Sequence, residues 1–187
     1  MLDLNTLIPR CHQLSRVTGE WDLKTNRCEV IMLIVGDLVA AHQADRDERR
    51  GNLDFYRYRV ELLRDEGGAS FYPGIYQEEL GGTADNMLAG ACIQLCDFAS
   101  GFELPLAMII SSHQEEALAV DQCPDNFGQC LLGITDSLVQ VASAETPKEQ
   151  AEEIGRALAH MDHVATQFKM DLSTLVNLRL QYIASQD

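Results

Sequence analysis

Apolar residues recur along the chain at the three- and four-residue spacing of amphipathic helices, and no stretch keeps the strict alternation of a strand. Over residues 3–17, the positions of Leu4, Leu7, Ile8 and Cys11 predict a first helix. Further helices are predicted over residues 52–64, 83–100, 106–120 and 128–143, from 147 onward, and over 171–184. Residues 66–76, rich in Gly and Pro, predict a loop. The fold class expected is therefore all-α, with short connections.

The strongest apolar run covers residues 31–41, in which Asp37 is the only charged residue. Asn26 followed by Glu29 is typical of a helix N-terminus, so one long helix is predicted over residues 27–46. A run so uniformly apolar predicts the central, buried helix of the domain. The helix would carry the Asp37 carboxylate into apolar surroundings, where a charge is costly unless it is paired, hydrogen-bonded or metal-bound. Asp37 is therefore the first candidate functional residue.

Composition narrows the classes of partner and the compartment. The 187 residues carry a formal net charge of -15, which argues against direct binding to a nucleic-acid backbone or an anionic membrane surface. A small nucleotide remains compatible with this charge, because local cations or a bound metal can reverse its sign. The N-terminal residues lack a secretory pattern, no apolar run could span a membrane, and the six cysteines lack zinc-site spacing. We therefore expect a reduced, cytoplasmic protein.

Two stretches of the chain align without a gap at a shift of 66 residues, with 88–110 lying over 154–176. Apolar positions match, and so does the break between two helices. Chance matching of apolar helices is the alternative, but the shared break favours a duplicated two-helix unit. A weaker match aligns LIVGD, ending at Asp37, with LGITD, ending at Asp136. The predicted units are a first copy over 1–121 with an insert near 47–80, and a shorter second copy over 127–187, in one compact body.

A family resemblance lies in three segments: LNTLIPRCHQLSRVTGEWD from residue 4, NRCEVIMLIVGDLVAAHQADR from residue 26, and MLAGACIQLCDFASGFEL from residue 87. They resemble the MazG-like nucleoside triphosphate pyrophosphohydrolases of the all-α NTP pyrophosphatase superfamily. The resemblance implies a helical bundle in which E-x-x-E and E-x-x-D motifs on two helices hold magnesium ions that bind the triphosphate. Such spacing puts each acid pair on one helical face, and carboxylate oxygens suit a hard cation. The metals would polarise the phosphates and activate water.

This chain departs from the family motif at most of the ligand positions. They hold Asp37, Ala40, Met87 and Gly90 in the first copy, and Asp136, Val139, Glu153 and Arg156 in the second. The three acids that remain (Asp37, Asp136, Glu153) are weak metal candidates, so no cofactor is expected, with Mg²⁺ required only if the chain is an enzyme. Glu78, Glu79 and Asp85, in the preceding turn, are the acids that could replace the lost ligands.

The hypothesis that best fits this pattern is a non-catalytic protein that senses or sequesters a small nucleotide. Its candidate binding residues are Trp21, Asp37, Arg46 and Arg156. Trp21 could stack on a base, although it could equally cap the core. Arg156 puts a guanidinium, which suits phosphate oxygens, where an acid is expected. The alternatives are a metal-dependent nucleoside triphosphate pyrophosphohydrolase with atypical ligands, and a structural or partner-binding relic without a ligand. A homodimer that binds neither nucleic acid nor membrane is expected.

Loss of the motif predicts loss of hydrolysis. We expect no appreciable release of pyrophosphate from canonical NTPs or dNTPs with magnesium or manganese. Losing several ligands of a two-metal site removes both the template and the activated water, effects worth several kcal/mol of barrier. A pyrophosphate-release assay measures this directly. Turnover at rates typical of enzymes, abolished by Asp37→Ala, would contradict the prediction.

Overall fold

The computed structural model describes residues 2–19, 26–64, 72–119 and 124–186, and within these ranges every regular element is an α-helix. The helices are α1 (Leu4–Val17), α2 (Arg27–Arg46), α3 (Leu53–Arg64), α4 (Pro73–Glu79), α5 (Ala84–Gly101), α6 (Leu106–Ala119), α7 (Phe127–Ser143), α8 (Pro147–Gln167) and α9 (Leu172–Ala184). The all-α prediction is confirmed. None of these helices is long and apolar enough to cross a membrane.

Side-chain caps fix where several of the helices begin. The Asn26 side chain accepts a hydrogen bond of 2.9 Å from the Cys28 N–H, so α2 starts where the sequence predicts. Thr146 and Glu149 form a reciprocal capping box at the start of α8. The loop predicted up to residue 76 was wrong in its last part, because Pro73 opens the short helix α4. Proline is well tolerated there, since the first turn of a helix has no partner for its missing N–H.

Helix α5 forms the centre of the fold. Nearly all of its residues are buried, and α1, α2, α8 and α9 pack around it. The prediction that α2 is the central buried helix was wrong, because Met32, Leu33 and Val39 are 65%, 55% and 63% exposed. Helix α2 packs on α5 along one side and on α7 along another, so a third side remains uncovered. An apolar run predicts a helix, but the number of its sides that become buried depends on the neighbouring helices.

The helix break that recurs after 66 residues has the same geometry at both places. Glu103 and Lys169, each just after the end of a helix, have positive φ angles of 54° and 59°. The next residue, Leu104 or Met170, donates its N–H to the carbonyl five positions back, over 2.9 and 2.7 Å. This is the left-handed helix ending that usually requires glycine. Helix α6 then packs on α8, and α9 packs on α5. A duplication would produce such breaks, and the superposition of the two units stays a prediction.

The region predicted as an insert, near residues 47–80, contains α3 and α4, which pack against each other; α4 also contacts α9. Just before α3, the Arg50 guanidinium lies over two aromatic rings. Its Cζ is 4.7 Å from the ring centroid of Phe127 and 5.6 Å from that of Phe168. Contacts of this kind are worth about 0.5–2 kcal/mol each. They hold this region against α7 and the turn after α8.

The closest approach between α6 and α8 occurs at Gly155. A Cβ atom there would lie 2.5 Å from Ile109 O and 2.7 Å from Ser112 Cβ, so the two helices would have to separate. We expect Gly155→Ala to lower the free energy of unfolding by about 1–3 kcal/mol, the usual cost of overpacking. Urea denaturation measures this change.

Gly133→Ala is the matched control for that substitution. Gly133 also lies inside a helix, α7, but nothing stands within 4 Å of the added methyl group. Alanine should raise the free energy of unfolding there by about 0.5–1 kcal/mol, because glycine loses more backbone freedom on folding. Equal effects of the two substitutions would show that α6 and α8 leave room for a methyl group between them.

Candidate functional site

A cleft of about 520 Å³ lies between α2, α4, α5 and α9. Its walls combine apolar side chains with side-chain amides, two phenol rings and one guanidinium. The described lining residues are Leu33, Tyr76, Gln77, Gly81, Gly82, Asn86, Met87, Gly90, Ile93, Gln94, Arg179, Tyr182 and Ile183. Small-molecule sites typically measure about 300–1,000 Å³ and have mostly apolar walls with a few polar groups. The cleft is therefore the candidate site.

Three of the four first-copy positions that the family resemblance marks as metal ligands lie in or beside the cleft. Met87 and Gly90, at the E-x-x-D positions, both line it. Asp37, at the first E-x-x-E position, lies beside it, and its Oδ2 accepts a hydrogen bond of 3.0 Å from Gln94 Nε2. Met87, Gly90 and Gln94 follow one another at three- and four-residue spacing, so α5 presents them on one face. Of the positions that the resemblance marks, position 37 is the one that places a carboxylate at this cleft.

A guanidinium lies at one of the positions where the family resemblance implies a carboxylate. Arg179 of α9 donates from Nη1 to the backbone oxygen of Asn86 over 2.6 Å, and its Nη2 is 3.8 Å from Asp37 Oδ2. A Cβ atom on Gly90 would stand 2.5 Å from both Arg179 Cζ and Asp37 Oδ2. Any side chain at position 90 would therefore collide with this ion pair. Glycine at this position is what allows the arginine to reach the aspartate.

Burial controls the charge state of Asp37. Its side chain is only 19% exposed, and removal from water raises the pKa of the carboxyl group above its ordinary value. The positive charge of Arg179 and the hydrogen bond from Gln94 act in the opposite direction but do not cancel the effect of burial. Because desolvation disfavours the charged form, ionising Asp37 costs the folded protein more than the unfolded chain.

Two tyrosines form the aromatic wall of the cleft. The rings of Tyr76 and Tyr182 stack with 4.6 Å between their centroids and 18° between their planes. Tyr76 is buried and donates its hydroxyl hydrogen to Asn86 Oδ1, and burial raises the pKa of this phenol. Tyr182 is partly exposed. Since Tyr76 covers one face of the Tyr182 ring, the other face is the one on which a planar ligand could stack.

A glycine turn forms one edge of the cleft. Gly82 has a positive φ of 73°, and a Cβ atom on Gly81 would lie 2.5 Å from the Gln77 backbone oxygen. Arg49 holds this turn, because its Nη1 donates to Gly82 O over 2.9 Å. The same guanidinium pairs with Asp47 at 3.2 Å. The absence of side chains at both positions therefore accommodates this tight turn.

Two of the four binding residues predicted from the sequence lie away from the cleft. Trp21 falls outside the described residues. Arg46 is exposed at the end of α2 and does not line the cleft. Arg156 is exposed on α8, where it pairs with Glu153. Of these candidates, Asp37 is the one that the described structure brings to the cleft.

The acids considered as metal ligands do not converge on Asp37. Glu78 and Glu79 both pair with Arg59, and Asp85 accepts a hydrogen bond of 3.0 Å from the Gly51 N–H. Asp136, the candidate in the second copy, is exposed on α7. Across the described ranges, no group of three or more His, Cys, Asp or Glu side chains is arranged to hold a metal ion.

Sequence reasoning missed the residues of α9. Arg179 is the only charged residue between positions 172 and 184, in an otherwise apolar or neutral helix. A lone arginine of this kind is a signal, because a half-buried guanidinium needs a partner. The sequence could not identify that partner, since Asp37 lies near the other end of the chain.

No family model, curated protein or solved structure matches this chain.

The pKa of Asp37 predicts a pH-dependent effect of removing its charge. Because the pKa is raised on folding, the ionisation of Asp37 lowers stability as the pH rises from the ordinary carboxyl range through the folded-state pKa. Asp37→Asn cannot ionise but keeps an oxygen that can accept from Gln94. We expect the variant to gain stability relative to the wild type as the pH rises above the ordinary carboxyl range, about pH 4. Urea denaturation at several pH values measures the difference.

Asp54→Asn is the control for net charge. Asp54 lies on α3 with a side chain that is 96% exposed, and this substitution also removes one negative charge. Its free energy of unfolding should follow that of the wild type across the pH series. If Asp37→Asn instead loses stability relative to the wild type as the pH rises, the fold stabilises the carboxylate, and the pKa of Asp37 is lowered on folding rather than raised.

Proposed function

We propose that the chain binds a small nucleotide in this cleft without hydrolysing it. The observation that carries the proposal is the Arg179 guanidinium lying against Gly90, where the family resemblance implies a metal-binding carboxylate. An active pyrophosphohydrolase would use carboxylates to hold cations, and the cations would hold the phosphates. Here the protein itself supplies the cation.

The change in charge supports binding without a metal. Carboxylates without their metals repel a phosphate, and Ala40, Met87 and Gly90 stand where the family resemblance implies acids. Decay of an enzyme would also remove the acids, but it would not by itself bring an arginine from α9 into the same space. A guanidinium stays charged at physiological pH and matches two phosphate oxygens through parallel hydrogen bonds. Its bond to the Asn86 carbonyl holds part of this fork in place.

The aromatic wall supports a nucleotide over a simple anion. Tyr182 offers one ring face beside Arg179, so a base could stack while its phosphate reaches the guanidinium. The Gln77 and Gln94 side chains add amide groups that can bond to the edge of a base. Because Arg156 is exposed and paired with Glu153, we assign the phosphate-binding role to Arg179 instead. A homodimer in the cytoplasm remains part of the proposal.

The test is a panel of nucleotides. Each of four bases is tested as the nucleoside, the monophosphate, the cyclic monophosphate and the triphosphate, with and without magnesium. A ligand that binds the native state raises the midpoint of thermal unfolding. For the best ligand, we expect Arg179→Gln to weaken binding by about 1.5–3 kcal/mol, the scale of a hydrogen bond to a charged group. Calorimetry measures the affinity, and denaturation without ligand shows whether the variant is folded.

Arg57→Gln is the matched control, since Arg57 is also an ion-paired arginine but lies on α3 and does not line the cleft. It should bind as tightly as the wild type. Loss of affinity in Arg156→Gln instead of Arg179→Gln would contradict the assignment. If no nucleotide shifts the midpoint, the relic hypothesis is correct; release of pyrophosphate with magnesium would make the chain an enzyme.

A further inference from the structure

On the basis of the proposed function, we infer that the ligand carries a single negative charge, as a cyclic nucleotide or another phosphodiester does, and that a free triphosphate is excluded. The inference follows from the positive charge available at the cleft, which is a single guanidinium that already faces one carboxylate. It specifies the ligand class of the same site.

Arg179 is the only cationic side chain among the described residues that line the cleft. Asp37 already stands 3.8 Å from it, so the pair together is close to neutral before any ligand binds. A single guanidinium can form one bidentate pair with one phosphate group. A second or third phosphate would have no cation to meet inside the cleft.

Two cations beside the cleft but outside its lining are already matched by carboxylates. Arg49, at the glycine turn, pairs with Asp47 and donates to Gly82 O. Arg59 of α3 pairs with both Glu78 and Glu79 at the end of α4. Recruiting either guanidinium to a phosphate would leave its acids unpaired close to the same anion. Such a rearrangement would not lower the total repulsion.

The net charge of the whole chain also disfavours ligands that carry several negative charges. The net charge of -15 gives the surface a negative potential, which opposes the approach of a polyanion. The metal-dependent family overcomes this repulsion with magnesium, but carboxylates are missing at Ala40, Met87 and Gly90. Volume does not discriminate between these ligands, because about 520 Å³ admits any mononucleotide. Charge therefore decides which one binds.

The experiment compares ligands that share one base and differ in the charge of the phosphate group. For the base with the largest thermal shift in the panel, the nucleoside, the 3′,5′-cyclic monophosphate, the 5′-monophosphate and the 5′-triphosphate are titrated by calorimetry with a metal chelator present. We expect the cyclic monophosphate to bind tightest. The nucleoside and the triphosphate should each bind at least about tenfold more weakly, one for lack of a phosphate and the other from like-charge repulsion.

Two further readouts tie the ranking to charge at Arg179. Raising the salt concentration should narrow the gap between triphosphate and cyclic monophosphate, because screening weakens repulsion. Arg179→Gln should abolish the advantage of the cyclic monophosphate over the nucleoside, whereas Arg57→Gln should preserve it. Retained preference in Arg179→Gln would overturn the inference.

The possible failures are distinguishable. If the triphosphate binds tightest without metal, or the nucleoside binds as well as the cyclic monophosphate, the inference on charge is wrong while nucleotide binding stands. If none of the probes binds, the proposed function falls, and the inference falls with it.

Discussion

Asp37 of α2 and Arg179 of α9 meet over Gly90 of α5, with 3.8 Å between Oδ2 and Nη2. Their side chains are 19% and 21% exposed, and neither charge would be stable at that depth without a partner. The contact requires three helices to converge and one of them to lack a side chain at the crossing. The contact links α9 to α2 across the central helix, at one wall of the cleft.

Helix α5 supports the core and the cleft with different faces. Most of its residues are buried against α1, α2, α8 and α9, and a single stripe that contains Met87, Gly90 and Gln94 lines the cleft. Because the helix is packed so closely, the stripe is held in a fixed orientation. The α4 helix, from the region predicted as an insert, closes the cleft with Tyr76 and Gln77. A rigid central helix and a short peripheral helix thus build one site together.

In the proposed function, the Arg179 guanidinium supplies the positive charge that a metal ion would supply. It does not supply the metal ion's catalytic chemistry. Magnesium held by carboxylates binds phosphates and also activates a water molecule. Arginine supplies a permanent positive charge and directed hydrogen bonds, but it generates no nucleophile. Replacing one by the other keeps recognition and removes hydrolysis. The replacement also lowers the number of phosphate charges that the cleft can match.

The sequence determined the features that depend on near neighbours in the chain. Helical spacing predicted the described helices except α4, Asn26 predicted the start of α2, and the alignment at a shift of 66 residues predicted that two helix breaks match. Buried charge also singled out Asp37. Tertiary structure alone decided that α5, not α2, lies at the centre, and that Arg179 is the partner of Asp37. Those outcomes depend on which helices meet in space, and hydrophobic periodicity gives the buried face of a helix without naming the helix that will cover it.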